Sequence, residues 1–282
     1  MTDTTPSSEA VADLLLVGCG KMGGAMLDGW LASGLLRHAV VVDPHAAAEA
    51  ARAAGGGDER VTLVGTIEEV PATFRPAVVI LAVKPQMMDA AAPAYRTFIE
   101  GGAAVLSVAA GKSIAYYQNL FGASAAIVRA MPNTPAAIGR GITVAVPNAR
   151  VDAATRALCD RLLKAVGSVE WVADEALIDA VTGLSGGGPA YVFLLIEAMA
   201  AAGEAAGLPA DLAMRLARET VSGAGELARQ SPESATQLRR NVTSPNGTTQ
   251  AALEVLMAPD ALPDLMTKAV AAAAARSREL GR

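Results

Sequence analysis

The clearest chemical pattern in the sequence is a glycine-rich turn near the N-terminus. Residues 18–23 read Gly-Cys-Gly-Lys-Met-Gly, a G-x-G-x-x-G pattern placed directly after the apolar run 14–17. In such a turn Gly18 permits the tight bend, Gly20 lets a pyrophosphate approach the backbone, and Gly23 lets the next helix pack on the strand. Free N–H groups at that helix start would face the phosphates. The pattern predicts a dinucleotide site, and a helix-capping turn without a ligand is the alternative.

The second feature is Asp43, which ends the apolar run 40–42 at about the distance from the glycines that dinucleotide-binding folds require. A carboxylate there accepts hydrogen bonds from the adenosine ribose and repels a 2′-phosphate, so it favours NADH over NADPH. A third element is Lys84, at the end of the run 77–83, where ligands bind at the carboxyl edge of open α/β sheets. For Lys84, a solvated surface charge is an equal alternative.

A polar loop at residues 242–249 is rich in hydroxyl groups and leads into a predicted helix. Ser244, Thr248 and Thr249, together with the free N–H groups of that helix, predict a site for a small carboxylate. A capping turn is the alternative, but it needs only one of those hydroxyls. Two further segments could contribute to a site. Residues 131–135 form a rigid loop at the sheet edge, with a stiff turn as the simpler explanation. The glycines of 183–191 would let a backbone or a flat ring come close, with close helix packing as the alternative.

Composition and charge exclude several classes of function. The chain carries a net charge of -5 with 23 scattered Lys and Arg residues, so we expect no nucleic acid partner. Its two cysteines and two histidines form no metal-binding or nucleophilic pattern, so no metal is predicted and a cytoplasmic location is expected. Residues 1–9 lack the features of a secretory signal. The apolar run 191–207 contains two glutamates, so we predict a buried helix and no membrane span. Hydride transfer, which the cofactor itself supplies, is the reaction that fits.

The elements that must position these residues change character along the chain. Up to residue 172, short β-branched runs alternate with helical stretches, which predicts βαβ units around a largely parallel sheet. The predicted strands are 14–17, 40–42, 62–64, 77–83, 103–108, 127–131, 141–146 and 169–172. Five helices are predicted afterwards, beginning near Pro189, Pro209, Ser231 and Thr249 and covering 262–280. We therefore predict an α/β fold with a dinucleotide-binding domain at 1–172 and a helical domain at 173–282.

The sequence resembles the pyrroline-5-carboxylate reductase family, which makes proline by reducing a cyclic imine with NADPH or NADH. The resemblance covers nearly the whole chain and is carried by residues 17–26 (VGCGKMGGAM), 82–86 (AVKPQ), 128–136 (VRAMPNTPA), 183–199 (GLSGGGPAYVFLLIEAM) and 242–253 (VTSPNGTTQAAL). It implies a Rossmann-like doubly wound sheet followed by an all-helical C-terminal dimerisation domain. It also implies a homodimer, open to higher assembly, in which helices of the partner subunit complete each active site.

The resemblance also implies roles for individual residues. The pyrophosphate would be held by Gly18, Gly20, Met22 and Gly23, and the ribose and nicotinamide would lie beside Ala82, Lys84 and Pro85, with Asn133 in a loop at the nicotinamide end. The substrate 1-pyrroline-5-carboxylate would be held through its carboxylate by Ser244, Gly247 and Thr248, and the Thr249 hydroxyl would bond the ring nitrogen as the catalytic contact.

The sequence departs from the family pattern at three positions. Gly187 stands where the family often has serine, and Asn246 where it usually has glycine. Asp43 stands where many bacterial members have residues suited to NADPH. Two other functions compete with the reductase: a β-hydroxyacid dehydrogenase, which needs a catalytic lysine absent from 189–207, and a non-catalytic nucleotide sensor, which would not need the hydroxyl-rich loop.

Overall fold

The structure, a computed structural model, describes residues 12–52 and 58–281. Its eight strands form one sheet in the order β3-β2-β1-β4-β5-β6-β7-β8. Neighbouring strands are parallel except β6 and β7, which are antiparallel. The strands are β1 (Ala12–Val17), β2 (Leu36–Val42), β3 (Val61–Val64), β4 (Val78–Leu81), β5 (Ala104–Ser107), β6 (Ile127–Met131), β7 (Gly141–Pro147) and β8 (Gly167–Trp171). All eight predicted strands are present, and the Rossmann-like doubly wound sheet is confirmed.

The apolar runs form strands because both faces of the sheet are covered. In β1, Leu14, Leu15 and Leu16 are all 0% exposed, as expected for a central parallel strand with helices on each side. Two separate apolar clusters lie on the two faces. On one face Trp30 is fully buried, and its indole N–H donates to the carbonyl of Leu162 at 2.8 Å.

Helices cover the sheet and then make up the rest of the chain. Those of the sheet region are α1 (Lys21–Ala32), α2 (Pro44–Arg52), α3 (Met88–Ala91), α4 (Arg96–Glu100), α5 (Ile114–Phe121) and α6 (Ala153–Lys164). Those after the last strand are α7 (Leu177–Val181), α8 (Gly188–Ala205), α9 (Ala210–Gln230), α10 (Ala235–Asn241), α11 (Thr248–Leu256) and α12 (Leu262–Leu280). The described residues after Trp171 contain no strand, so the all-helical C-terminal region is confirmed.

The order of the strands determines where a ligand can bind. The chain moves outward from β1 to β2 and β3, then returns to place β4 on the other side of β1. In open α/β sheets, ligands bind at the carboxyl ends of the strands where the order reverses, which here is between β1 and β4. The glycine turn after β1 and the Lys84 segment after β4 both lie at that place.

Several local predictions need correction. The third C-terminal helix was expected to begin at Ser231, but α10 begins at Ala235, because the hydroxyl of Ser234 caps it by accepting the N–H of Gln237 at 3.2 Å. Helix α11 begins at Thr248, slightly earlier than expected. Helix α7 and the π-helical turn at Thr182–Gly186, called the π-turn below, were not predicted.

The apolar helix at 191–207 is not buried within the chain, contrary to the prediction. Of α8, only Ala200 is fully buried, while Phe193 and Leu194 are 60% and 63% exposed. By length and composition alone, the helical stretch Leu177–Ala205 could cross a membrane, and no other stretch of the described residues could. The hydrophobicity of the sequence indicates that this helix must be buried against another surface, but it does not show whether that surface belongs to the same chain.

The chain forms two compact units. The first contains the described residues up to Gly186 together with 274–281, and the second is Gly187–Ala273. The last strand ends at Trp171, but helix α7 still belongs to the first unit. Its Ile178 is 1% exposed, and its Asp179 accepts a hydrogen bond from the hydroxyl of Ser277, which is in the same unit, at 2.6 Å. The domain boundary at 172 remains a prediction, and the compact units divide 14 residues later.

Candidate functional site

The turn after β1 has the backbone that its glycines allow. Gly18 has a φ of +90°, and a Cβ there would lie 2.9 Å from Cγ1 of Val83 in the segment after β4. A side chain at Gly23 would overlap the carbonyl of Gly18. These two glycines are therefore required by the conformation of the turn and by the close approach of α1 to it.

Gly20 differs from Gly18 and Gly23 because no contact within the protein excludes a side chain at this position. A Cβ built on Gly20 meets no described atom within 4 Å, so the space above it is open. Gly20 also caps α1 without a side-chain hydrogen bond, and the first turn of α1 contains no acidic residue. Open space over a bare helix N-terminus fits the pyrophosphate of a dinucleotide, whose oxygens can accept the uncapped N–H groups. Met22 lies in the first turn of α1, packed against the apolar cluster on that face.

Asp43 lies at the end of β2, beside the glycine turn. One carboxylate oxygen accepts the N–H of Cys19 at 2.7 Å, and the other accepts the N–H groups of His45 and Ala46 at 2.8 and 3.0 Å. The side chain therefore holds the glycine turn and the start of α2 at once. Each oxygen of an ionised carboxylate has two acceptor positions, so the oxygen bonded to Cys19 can still accept a ribose hydroxyl.

The charges around the glycine turn are fixed by these contacts. Partial burial raises the pKa of Asp43, but the N–H groups of Cys19, Ala46 and His45 outweigh it, and the net pKa is lowered. The pKa of the Cys19 thiol is raised, first by burial and then by the carboxylates of Asp43 and Asp28. At neutral pH the turn therefore presents a carboxylate and an uncharged thiol.

The segment after β4 forms the second side of this site. The N–H of Ala82 donates to the carbonyl of Val17 at 2.9 Å, which continues the pairing of β1 and β4. Ala82 lies close to Gly23, since a Cβ built on Gly23 would be 3.4 Å from the Ala82 Cβ. Lys84 is exposed, its ammonium makes no hydrogen bond or ion pair within residues 12–52 and 58–281, and Pro85 starts a short 3₁₀ turn after it.

Asn133 follows β6 at the same edge of the sheet, and its side chain is held at both ends. The amide oxygen accepts the N–H of Ile142 at 2.9 Å, and the amide nitrogen donates to the carbonyl of Ser185 at 3.2 Å. Because one partner is a pure donor and the other a pure acceptor, the orientation of the amide is determined. The position of Asn133 in a loop could be predicted from the sequence, but neither of its two hydrogen-bond partners could.

The hydroxyl-rich loop belongs to the second compact unit. The N–H of Gly247 donates to the carbonyl of Ser244 at 3.0 Å, and a Cβ on Gly247 would overlap the Ser244 hydroxyl, so a side chain there would displace that hydroxyl. Asn246 has a φ of +57°, and its N–H donates to the side chain of Gln250 at 2.8 Å. Asparagine is the residue other than glycine that best tolerates this left-handed conformation, so the departure from the family pattern preserves the turn.

Helix α11 begins from this turn with no side chain capping it. Within the described chain, the hydroxyls of Ser244, Thr248 and Thr249 make no hydrogen bond to protein. A turn that capped the helix through a hydroxyl would use one of these groups, and none is used, which favours the predicted anion site over a simple hydroxyl cap. The arrangement offers several hydroxyls and free N–H groups to a small anion.

The other departure from the family pattern, Gly187, has a steric neighbour. A Cβ at Gly187 would lie 2.6 Å from the hydroxyl of Tyr191. A serine there would require the Tyr191 side chain to move. No group of three or more His, Cys, Asp or Glu side chains that could hold a metal occurs among the described residues.

Comparison with known proteins agrees with this architecture. Residues 14–111 match the sequence model of the NADP oxidoreductase, coenzyme F420-dependent family, and residues 175–280 match that of pyrroline-5-carboxylate reductase dimerisation. Among solved structures, the chain is similar to a pyrroline-5-carboxylate reductase from Coxiella burnetii, with a TM-score of 0.84, 31% identity, and coverage of 96% of this chain and 99% of that one. It is also similar to the NADP-bound enzyme of Plasmodium falciparum, with a TM-score of 0.78, 25% identity, and coverage of 96% and 100%.

Similarity extends over whole sequences. A pyrroline-5-carboxylate reductase from Pseudomonas aeruginosa is 39% identical over 95% of this chain and 96% of its own length. The Pisum sativum enzyme is 38% identical over 94% of both chains. These values, with the glycine turn and the uncapped hydroxyl-rich loop, show that the chain belongs to the pyrroline-5-carboxylate reductase family.

Proposed function

We propose that this protein reduces 1-pyrroline-5-carboxylate to L-proline with NADPH or NADH, the last step of proline biosynthesis. The observation that supports the proposal is that one member of this family has a glycine turn with open space over Gly20 in its first unit, and a hydroxyl-rich loop at a helix start without a side-chain cap in its second. Nucleotide sensing does not need the hydroxyl-rich loop, and the β-hydroxyacid dehydrogenase alternative lacks its lysine.

The cofactor would be bound by the residues at the carboxyl edge of the sheet. In this proposal Gly18, Gly20, Met22 and Gly23 hold the pyrophosphate, because the turn offers open space and N–H groups there. Ala82, Lys84 and Pro85 lie on the ribose and nicotinamide side, with Asn133 in the loop at the nicotinamide end. When bound, the reduced nicotinamide supplies a hydride.

Asp43 is the residue that we propose decides between the two dinucleotides. Its lowered pKa keeps it charged at neutral pH, and a negative charge beside the adenosine ribose repels a 2′-phosphate. We therefore propose that NADH is used at least as well as NADPH.

The substrate would be bound by the hydroxyl-rich loop. We assign its carboxylate to Ser244, Gly247 and Thr248 at the start of α11, where the helix dipole and free N–H groups favour an anion. The Thr249 hydroxyl is assigned to the ring nitrogen.

The protein must then control one proton. As hydride adds to the imine carbon, the electron pair of the C=N bond moves to nitrogen, and a neutral imine would develop negative charge there. The substrate therefore enters as the iminium or takes a proton from water, and Thr249 orients and polarises the nitrogen without acting as a strong acid.

Assembly is the remaining part of the proposal. The apolar side chains that α8 exposes, such as Phe193 and Leu194, need a partner surface, and this region matches the dimerisation model of the family. We propose a homodimer, open to higher assembly, in which helices of the partner complete each active site and no membrane or nucleic acid takes part. A cytoplasmic location would keep the two cysteines, which are unpaired here, reduced.

One assay tests the proposed activity. Oxidation of NADH and of NADPH is followed in the presence and absence of 1-pyrroline-5-carboxylate, with formation of L-proline measured in parallel. We expect oxidation that depends on the imine and equals the proline formed. Cofactor binding without turnover would overturn the reductase in favour of a nucleotide sensor, and oxidation with a β-hydroxyacid product would favour the dehydrogenase.

A further inference from the structure

The carbonyl of Ser185 lacks the partner that a regular helix would give it. In an α-helix this carbonyl would accept the N–H of the fourth residue along, but that residue is Pro189, which has no N–H. The next N–H, that of Ala190, donates to the carbonyl of Gly187 at 3.0 Å. The helical path from α7 to α8 is therefore interrupted at the π-turn, and one of its carbonyls needs a donor from outside.

Asn133 provides that donor. Its amide nitrogen lies 3.2 Å from the Ser185 oxygen, while its amide oxygen accepts the N–H of Ile142. The π-turn also lies against the end of β6, because a Cβ on Gly186 would be 2.6 Å from Cε of Met131. A single side chain thus joins the loop after β6, the start of β7 and the π-turn within the first compact unit.

We propose that Asn133 is a positioning residue that acts through the Ser185 carbonyl, fixing the π-turn against the nicotinamide end of the cofactor site. This rests on the proposed function, since it takes the loop after β6 to face the nicotinamide. The alternative role for Asn133 is direct contact with the cofactor, as the family resemblance implies. The two roles differ in one respect: only the first depends on the missing N–H of Pro189.

The chain contains a matched control for Asn133. The Asn148 side chain makes a similar pair of bonds, accepting the N–H of Ile127 at 3.1 Å and donating to the carbonyl of Ala125 at 2.8 Å, and its oxygen also accepts the N–H of Arg150 at 3.1 Å. Ile127 is the first residue of β6, so Asn148 lies at the opposite edge of the sheet from the cofactor site. Replacing either asparagine by aspartate keeps the acceptor and removes the donor.

The experiment compares Asn133→Asp, Asn148→Asp, Pro189→Ala and the double variant Asn133→Asp/Pro189→Ala. For each, kcat/KM for NADH, the Kd of NADH by fluorescence and the midpoint of thermal unfolding are measured. Both aspartate variants should lower the unfolding midpoint, but only Asn133→Asp should lower kcat/KM, by about tenfold, the factor that corresponds to 1.4 kcal/mol. Pro189→Ala supplies the missing N–H, so it should restore most of that loss in the double variant while leaving the wild-type rate nearly unchanged.

Three results would overturn the proposal. Loss of kcat/KM in Asn133→Asp without rescue by Pro189→Ala would mean that Asn133 contacts the cofactor directly. An equal kinetic loss in Asn148→Asp would mean that any lost bond in the sheet has this effect, and this comparison decides the matter even if Pro189→Ala does not fold. Unchanged kinetics in Asn133→Asp would exclude either role. The Kd of NADH and the unfolding midpoints remain readable if the protein does not reduce 1-pyrroline-5-carboxylate, so failure of the proposed function is distinguishable.

Discussion

Replacing Asp43 by asparagine should shift cofactor use towards NADPH and destabilise the glycine turn. Asparagine has the same shape, but it removes the charge that repels a 2′-phosphate. Two unit charges 4 Å apart interact by about 1 kcal/mol in water and about 4 kcal/mol near a protein surface. We therefore expect the ratio of kcat/KM for NADPH to that for NADH to rise at least tenfold, or about 1.4 kcal/mol.

The cost in stability follows from the three N–H groups that Asp43 accepts. In Asp43→Asn, one amide oxygen can serve either Cys19 or the pair His45 and Ala46, but not both sides. Loss of a hydrogen bond to a charged group costs about 1.5–3 kcal/mol. The pKa of Asp43 is lower in the folded state, so its contribution is complete above the unfolded value of about 4 and is lost as pH falls through the folded value. The difference in unfolding free energy between wild type and variant should therefore shrink at acidic pH.

The assay is steady-state kinetics with both dinucleotides, together with urea unfolding at several pH values. Asp13→Asn is the matched control: it removes the same charge near the start of β1, where Asp13 pairs with Arg37 at 2.8 Å, away from the glycine turn. The control should leave the cofactor ratio unchanged. A wild-type kcat/KM for NADPH tenfold above that for NADH, or an unchanged ratio in Asp43→Asn, would refute the reasoning.

Four further predictions follow from the site and the helical region. Thr249→Val should lower kcat by about 10² to 10³ with little change in the Kd of NADH, and steady-state kinetics with full activity would exclude the assigned contact. Gly20→Val should fold normally but bind NADH weakly in a fluorescence titration, whereas Gly23→Ala should already lower the unfolding midpoint, because its side chain overlaps the turn. Asn246→Gly should keep kcat/KM within about twofold, while Asn246→Val should destabilise the protein by about 1–3 kcal/mol in urea unfolding. Light scattering should give a dimer that Leu194→Glu dissociates; an active wild-type monomer would contradict the shared site.

Most strands were predictable because their sequences contain short apolar runs, and the apolar residues of central strands such as β1, β4 and β5 are buried. Runs such as 14–17 and 127–131 need no tertiary information to be recognised, and the structure places strands over both. The start of α10 was not predictable in the same way, since Ser231 and Ser234 are both cap residues and only the backbone decides between them. The π-turn also left no periodic signal, although Pro189 ahead of an apolar helix marks the place where regular helical bonding fails.

The local geometry of the glycine turn could be predicted, because it depends on residues that are neighbours in sequence. The roles of Gly18 and Gly23 follow from local geometry, and the structure shows the positive φ and the close approach that those roles require. The exposure of α8, in contrast, could not be predicted from neighbouring residues. Its apolar composition predicts burial, but whether the same chain or another surface covers a helix depends on the arrangement of the whole fold.

The contacts that shape the carboxyl edge of the sheet share a property that hides them from sequence analysis. Asp43 holds the N–H of Cys19 across 24 residues, Asn133 holds the carbonyl of Ser185 across 52, and Glu175 holds the N–H of Ile114 across 61. Each joins a side chain to a backbone group, so the partner's residue type carries no signal. A substitution at any of these side chains removes a charge or an amide group, and it also removes the hydrogen bond that fixes a distant loop. Kinetic effects at this edge therefore identify a direct contact only when the displacement of that loop has been measured separately.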